Sequence, residues 1–370
     1  MATWQKVPFD EAFSDITSKA FKIDQSEFLQ SGKYPIVDQG QTFIAGYVDD
    51  EKIVWQDDLP VVIFGDHTRI MKYVDFPFVL GADGTKVLKP NEDILPLFAY
   101  YQLLSIDIPS AGYSRHFKFL KDFTFRFPPL PEQRRIAGLL GRADHLRRLR
   151  RYADSLSASL LQSVFLEMFG DPASNPKGCD KGIIDDVLSL SQYGTSNKSN
   201  YEKRGYPVLG MTNITLDGRL ELEPLSYVEI SEKEFRELRL ERGDIIFNRT
   251  NSTELVGKTT FWNHDFDAVI ASYLVKLKLK KNVLPEYFVA FLNMPYYKHL
   301  FQERCKKAIG QSNISPTLLR EFPVMIPPLS EQERFAQVVR RVEALRRRQA
   351  ESARQGDGLF QSLLHQAFNG

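Results

Sequence analysis

Residues 128–140 read PPLPEQRRIAGLL, and residues 327–339, 199 positions later, read PPLSEQERFAQVV. A chain that repeats a phrase must place both copies equivalently, so the repeat limits the fold more than any single motif does. Laid over each other without a gap, residues 128–170 and 327–369 agree at 15 of 43 positions, including Pro128/Pro327, Glu132/Glu331, Gln133/Gln332, Leu146/Leu345 and Arg147/Arg346. An ungapped match of that length predicts a helix in both copies, because an insertion in a helix rotates its face. In the first copy Leu146, Leu149, Ala153, Leu156 and Leu160 alternate in steps of three and four, the stripe of a helix that packs along its length. The same register in the second copy gives Val338, Val342, Leu345, Gln349, Ser352, Gly356, Leu359 and Leu363, apolar at its ends and weak in the middle. Gly356 and Gly358 each lower helix propensity by roughly 1 kcal/mol relative to Ala, which predicts a bend or break there. Proline pairs block helix upstream, Ser330 and Glu333 form a capping box, and Gly170-Asp171-Pro172 ends the first helix. Each helix is then about 40 residues or roughly 60 Å long. A lone helix of that length cannot hide its seam from water, so the two are expected to pair as an antiparallel coiled coil and act as a rigid spacer.

The segments ahead of the helices, residues 1–127 and 171–326, correspond faintly. KYPIVDQG at 33–40 resembles GYPVLGMT at 205–212, with Tyr34 and Tyr206 172 apart, and VVIFGD at 61–66 resembles DIIFNR at 244–249, with Phe64 and Phe247 183 apart. The offset grows along the chain, as insertions in two related domains would make it. Pro60–Phe64, Asp244–Phe247 and Ser272–Lys278 are β-branched or aromatic runs that read as strands, and 95–104 and 286–293 as short helices. The expected fold class is therefore α+β: two mixed α/β domains separated by two long antiparallel helices, with an internal pseudo-two-fold repeat.

Chemistry is hard to find. No GxxxxGK[ST] phosphate loop occurs, no GxGxxG follows a strand, and neither Cys179 nor Cys305 belongs to a metal spacing or a disulfide framework. Asn293-Met-Pro-Tyr296 is one residue away from an amino-methyltransferase signature, lacks the accompanying cofactor loop, and reads as a helix end before a turn. Hydrophobic residues at 43% and charged residues at 26% describe an ordinary folded chain, and the net charge of +1 requires that any basic surface be offset elsewhere. The start MATWQKVPFDEAF has no signal-peptide run and no stretch approaches the ~20 apolar residues of a spanning helix, so the expected compartment is the cytoplasm, without a membrane.

Two variable domains alternating with two long duplicated helices, each opened by Pro-Pro-Leu-x-Glu-Gln, resemble the specificity subunit of type I restriction-modification systems. GYPVLGMTNITLDGRL, RGDIIFNRTNSTELVGKTTFW and ASYLVKL within 205–275 are similar to a second target-recognition domain of that family, and IFGDHTR with VDFPFVLGADGTKVL to another in first position. The resemblance implies target-recognition domain 1 at 1–127, a central spacer helix at 128–170, target-recognition domain 2 at 171–326 and a distal spacer helix at 327–370. Each domain would read one half of a bipartite double-stranded DNA site, with the helices setting the unread gap. It implies no catalysis by this chain. Two methyltransferase (modification) subunits, carrying the S-adenosylmethionine, and restriction subunits would do the chemistry, and no cofactor is expected on this chain itself. The runner-up is the recognition subunit of a type IIB-like enzyme whose single partner fuses methylase and nuclease. A coiled-coil scaffold without DNA function is a third reading.

Loops 193–198, 248–252 and 111–116 are rich in residues that bond phosphates and base edges, although Asn, Ser, Thr and Gly are also turn formers. The candidate DNA-binding residues are Arg249, Asn251, Ser252, Asn197, Lys198 and Asn213 in the second domain and His67, Arg69, Tyr113, Arg115 and His116 in the first. Glu132, Gln133, Glu331 and Gln332 are candidates for the methyltransferase interface, although acids and amides in a first helical turn also satisfy free N–H groups. Arginines such as Arg134, Arg147, Arg148, Arg340, Arg346 and Arg347 crowd the two helices with few acids apparent beside them, as a solvated face or a phosphate-facing or partner-facing stripe would have.

Overall fold

The computed structural model describes residues 4–110, 112, 115–308 and 311–369. Its contacts divide the chain into two units, residues 1–151 with 351–370 and residues 152–350.

In the first unit one four-stranded sheet has the order Phe13–Asp15, Thr85–Pro90, Val61–Gly65, Met71–Val74. A second has the order Lys22–Ile23, Val79–Gly81, Tyr34–Val37, Gly46–Val48. Val61–Gly65 is buried on both faces, which is why it reads as a continuous apolar run rather than an alternating one. Ile63 joins Val37, Phe78 and Leu80 in one core, while Val62 and Phe64 join Phe98 and Leu103 of the helix Pro96–Leu104 in another.

The second unit repeats the first of these sheets strand for strand, whereas its second sheet keeps the parallel pair and the antiparallel neighbour but adds its fourth strand at the opposite edge. Its sheets run Leu188–Tyr193, Leu274–Leu279, Ile245–Asn248, Thr259–Phe261 and Ser199–Asn200, Ser226–Val228, Tyr206–Leu209, Val269–Ile270. Tyr34–Val37 and Tyr206–Leu209 each pair in parallel with the strand beside them, Val79–Gly81 and Val269–Ile270 respectively. The strands matched by the sequence offsets of 172 and 183 thus hold corresponding places. The helix Pro285–Leu292 covers the central sheet as Pro96–Leu104 does in the first unit. Asn293 follows it as a cap, its side chain accepting from Lys298 and donating to Thr259 O and Val289 O, and a second helix begins at Pro295. Asn293-Met-Pro-Tyr296 is therefore a helix junction tied to a strand, as its sequence suggests.

The long helices span Leu130–Phe169 and Leu329–Phe368, 40 residues each. Each gives one end to each unit. Ile136, Ala137 and Leu140 from the start of the first helix share a core with Phe360, Leu364 and Phe368 from the end of the second. In the other unit Phe335 and Val339 share a core with Phe165 and Phe169. Phe169 and Phe368 are equivalent by the 199-residue offset, and each packs on aromatic rings of its own unit, Tyr287 and Phe335 for the former and Trp4 and Phe98 for the latter.

Two expectations about these helices need correction. The leucine stripe is not the packed seam: Leu146, Leu149, Leu156 and Leu160 are 48–52% exposed, and Leu345 is 52% exposed. One residue further on, Arg147 turns inward, over the Phe360 ring and paired with Asp144 and Asp357, and Arg346 is 6% exposed beside Glu343. Heptad counting finds an apolar stripe, but an arginine stem and planar head pack just as well where an acid three residues earlier balances the charge. Further acids, Glu132, Glu286, Glu331 and Glu351, pair with Arg135, Arg340, Arg334 and Arg354, so the arginines are less lonely than the sequence suggested. The second helix also continues unbroken through Gly356 and Gly358. A Cβ on Gly356 would fall 2.0 Å from Arg150 Nη1, so this glycine admits a guanidinium rather than a bend.

Candidate nucleic-acid interface

In the first unit Val61–Gly65 and Met71–Val74 are antiparallel neighbours, so residues 66–70 must turn between them. Arg69 closes the turn with φ +62° and its N–H donating to Gly65 O at 2.7 Å. The end of the loop predicted at 111–116 is brought to the same place through His116. His116 N donates to Asp66 O at 2.9 Å, Phe117 N donates to Asp66 Oδ1 at 2.7 Å, and Arg69 Nη1 donates to Ile108 O at 2.8 Å. His67, Arg69 and Arg115 are exposed around this junction, while Tyr113 lies outside the described residues.

The second unit builds the same junction with other residues. Ile314 N donates to Arg249 O at 2.8 Å, and Thr250–Asn251 pairs with Gln311–Asn313, which pairs in turn with Lys306–Ala308. Arg249 ties three loops: its guanidinium lies 5.0 Å over the Tyr193 ring, Nη1 donates to Ser272 O and Nη2 to Asn313 Oδ1, both at 3.2 Å. Its fork is thus engaged within the protein. Asn251 is half-buried, its Oδ1 accepting from Ser252 N, and Ser252 is half-buried beside it. Asn197 and Lys198 are exposed, with Asn197 Nδ2 donating to Glu229 O at 3.0 Å.

Four of the predicted residues do not face solvent. His116 is 1% exposed with Nδ1 2.8 Å from Asp66 O, and Asn213 is 7% exposed, accepting from Gly210 N and donating to Glu221 O. Both hold loops together, and neither can reach a base edge from where it is. Gln133 and Gln332, 1% and 0% exposed, are likewise spent inside their own units and present no surface to a partner. The reason is common to all four: polar residue types carry no mark of burial in sequence, and a buried amide or imidazole is kept only where hydrogen bonds satisfy it. Glu132 and Glu331 do remain on the surface, in ion pairs with Arg135 and Arg334.

Sequence reading also missed residues. Gln311–Asn313 stands beside Arg249, and the signal was present: Gly112-Tyr-Ser-Arg-His116 and Gly310-Gln-Ser-Asn-Ile314 lie 198 apart, next to the main repeat offset. Tyr193 and Tyr273, 48% and 43% exposed, flank the Arg249 junction, and aromatic rings there offer stacking faces. A buried lysine anchors the neighbouring turn in each unit. Lys72 Nζ donates to Thr42 O at 2.6 Å, and Lys258 Nζ donates to Met211 O at 2.9 Å and to Ile214 O. Burial pushes both ammonium pKa values down, against the pull of Asp38 on Lys72 and of Glu221 on Lys258. Among the described residues no group of three or more His, Cys, Asp or Glu could hold a metal, and no helix is long and apolar enough to cross a membrane.

A duplicated domain is what the comparisons with known proteins also find. The type I restriction modification DNA specificity domain matches this chain twice, over residues 1–150 and 176–352. The chain belongs to this specificity family. Among its relatives is a Methanocaldococcus jannaschii protein provisionally named the type I restriction enzyme MjaX specificity subunit, 30% identical over 167 residues, 44% of this chain and 39% of that protein. The type I restriction enzyme EcoKI specificity subunit of Escherichia coli K12 is 26% identical over 265 residues, 66% of this chain and 56% of that one. The matches thus span about two fifths and somewhat over half of these relatives' lengths. The crystal structure of a type I restriction-modification S subunit from M. genitalium shares the fold with a TM-score of 0.54 at 16% identity, covering 99% of this specificity-family chain and 96% of that one.

Proposed function

We propose that this chain is the DNA sequence-specificity subunit of a type I restriction-modification complex. One unit reads each half of a bipartite duplex target, and the two long helices pair as an antiparallel coiled coil that sets the unread spacer. The observation that carries the reading is the duplication: two units with the same central sheet, each with its loop junction at the end of the central strand, and each built on one end of each of two 40-residue helices related by a 199-residue offset. Such an internal pseudo-two-fold lets one polypeptide hold two identical partners, here two methyltransferase subunits, with restriction subunits joining the same assembly. S-adenosylmethionine belongs to the methyltransferase, and this chain supplies recognition without catalysis, in the cytoplasm.

In the second half-site the exposed and half-buried residues Asn197, Lys198, Asn251, Ser252, Tyr193 and Tyr273 contact DNA, and Arg249 orders them. In the first half-site His67, Arg69, Arg115 and Tyr113 take that part. Half-buried Glu132 and Glu331 are at the methyltransferase interface. The family match favours this reading over the type IIB-like one. The test is single-molecule methylome sequencing of cells expressing this chain with its methyltransferase. The expected result is adenine methylation at two short motifs separated by a gap of constant length, and a single contiguous motif would overturn the proposal.

A further inference from the structure

Gln133 and Gln332 make the same three hydrogen bonds in the two units. Gln133 Oε1 accepts from Leu95 N at 2.7 Å, and its Nε2 donates to Asp93 O at 2.8 Å and Pro128 O at 2.9 Å. Gln332 Oε1 accepts from Leu284 N at 2.9 Å, and its Nε2 donates to Asn282 O at 3.1 Å and Pro327 O at 2.8 Å. A side-chain amide has one acceptor and two donors, and here all are used. No other side chain of that length supplies the set, and the two carbonyls of each site exclude a carboxylate.

What the amide joins matters more than how many bonds it makes. Leu95 and Leu284 are the N-caps of Pro96–Leu104 and Pro285–Leu292, and neither supplies a capping side chain. Those short helices pack on the central strands, Phe98 sharing a core with Phe64 and Tyr287 with Phe247. The strands end in the loops at 66–69 and 249–252. A continuous buried path therefore runs from the first turn of each long helix, through one glutamine, to the loops that meet DNA in the proposed function. Loop sequences along this path differ between the units, yet the glutamine and its geometry are the same in both.

We propose that Gln133 and Gln332 are positioning residues that fix the direction in which each long helix leaves its recognition domain, and that they thereby set the spacing between half-sites. The leverage is large. A tilt of about 3° at the root of a helix roughly 60 Å long displaces its far end by about one base step of 3.4 Å. Three short hydrogen bonds around one buried amide hold that root angle. Half-buried Glu132 and Glu331 next to them, in ion pairs with Arg135 and Arg334, have no such reach.

This inference rests on the proposed recognition function, and the experiment separates the two. Gln133→Met, Gln332→Met and the double variant, each in the full chain assembled with its methyltransferase, are given a pool of duplexes holding both half-sites at spacings from four base pairs below to four above the native one. Methylated duplexes are then sequenced. Each single variant is expected to lose about tenfold of the preference for the native spacing over its nearest neighbours, and the double variant more, while the bases read in each half-site stay as in the wild type. Variants that keep the wild-type spacing preference overturn the inference alone. A wild type without a two-part preference overturns the recognition reading and the inference with it. A change in the bases read, with spacing intact, assigns the glutamines to loop order and overturns their role in spacing. Where a methionine variant does not fold, Gln133→Asn and Gln332→Asn, which keep the amide but withdraw it by one methylene, carry the same comparison.

Discussion

Replacing Lys298 with Met removes an ammonium that the second unit buries without a carboxylate partner among the described residues. Its Nζ donates to Asn293 Oδ1 at 2.8 Å and to Gly257 O at 3.2 Å, both uncharged. Burial first, and the charge of nearby Lys258 second, push its pKa from the usual 10.5 to about 7. Between those two values the unfolded chain binds a proton that the folded chain does not, so stability rises with pH across the window from 7 to 10.5, and the penalty is fully present below pH 7. At about 1.4 kcal/mol per unit, a charge carried in the unfolded but not the folded state costs about 4 kcal/mol at pH 7 and about 1.5 kcal/mol at pH 9.5. Methionine escapes this cost and forfeits hydrogen bonds contributing about 1 kcal/mol. The Lys298→Met chain should therefore be about 3 kcal/mol more stable than the wild type at pH 7 and nearly equal to it at pH 9.5. Urea titrations at the two pH values, read by circular dichroism, measure the difference. Parallel pH profiles for the two chains would refute the argument, because only the removed ammonium distinguishes them.

Three further outcomes follow from packing. Gly358→Ala should stabilise the second long helix by up to about 1 kcal/mol, since a Cβ there meets nothing within 4 Å, and a thermal midpoint unchanged or lowered would contradict it. Leu140→Ala, at a side chain 1% exposed, should cost about 2–5 kcal/mol, whereas Leu149→Ala, 48% exposed, should cost under about 1 kcal/mol; equal losses in urea titration would restore the leucine stripe as the packed seam. Asn213→Ala, which leaves Gly210 N and Glu221 O without their partner, should lower stability by about 1–3 kcal/mol before it alters any DNA contact, so a chain of wild-type stability with changed half-site preference would return Asn213 to the readers.

Much of the architecture was legible in the residues. The repeat at 128 and 327 marks both helices to within a residue or two, because a long helix tolerates no gap and proline pairs bound its start; the expected capping box of Ser330 and Glu333 is not the boundary, since the helix already begins at Leu329. Tyr34 with Tyr206 and Phe64 with Phe247 marked corresponding strands for a related reason: buried strands must keep their apolar runs while loops drift. The interface was legible only by region. His67, Arg69 and the loop 111–116 were singled out, but the hydrogen bond from His116 N to Asp66 O that joins their neighbourhoods spans 50 residues, which no local pattern encodes.

Which polar residues face outward was decided by tertiary structure alone. Asn213 and Asn197 are the same residue type in similar loops, yet one is buried and bonded and the other exposed. The inward turn of Arg147 and Arg346 in place of the neighbouring leucines is of the same kind, because it depends on acids and rings brought alongside by folding. Sequence by itself determined that this chain is a duplication with two long helices, since periodicity and ungapped repetition are properties of the chain's own order. Folding decided that Gln133 and Gln332 are buried among backbone partners rather than offered as surface contacts, because hydrogen-bond partners are selected by proximity in space.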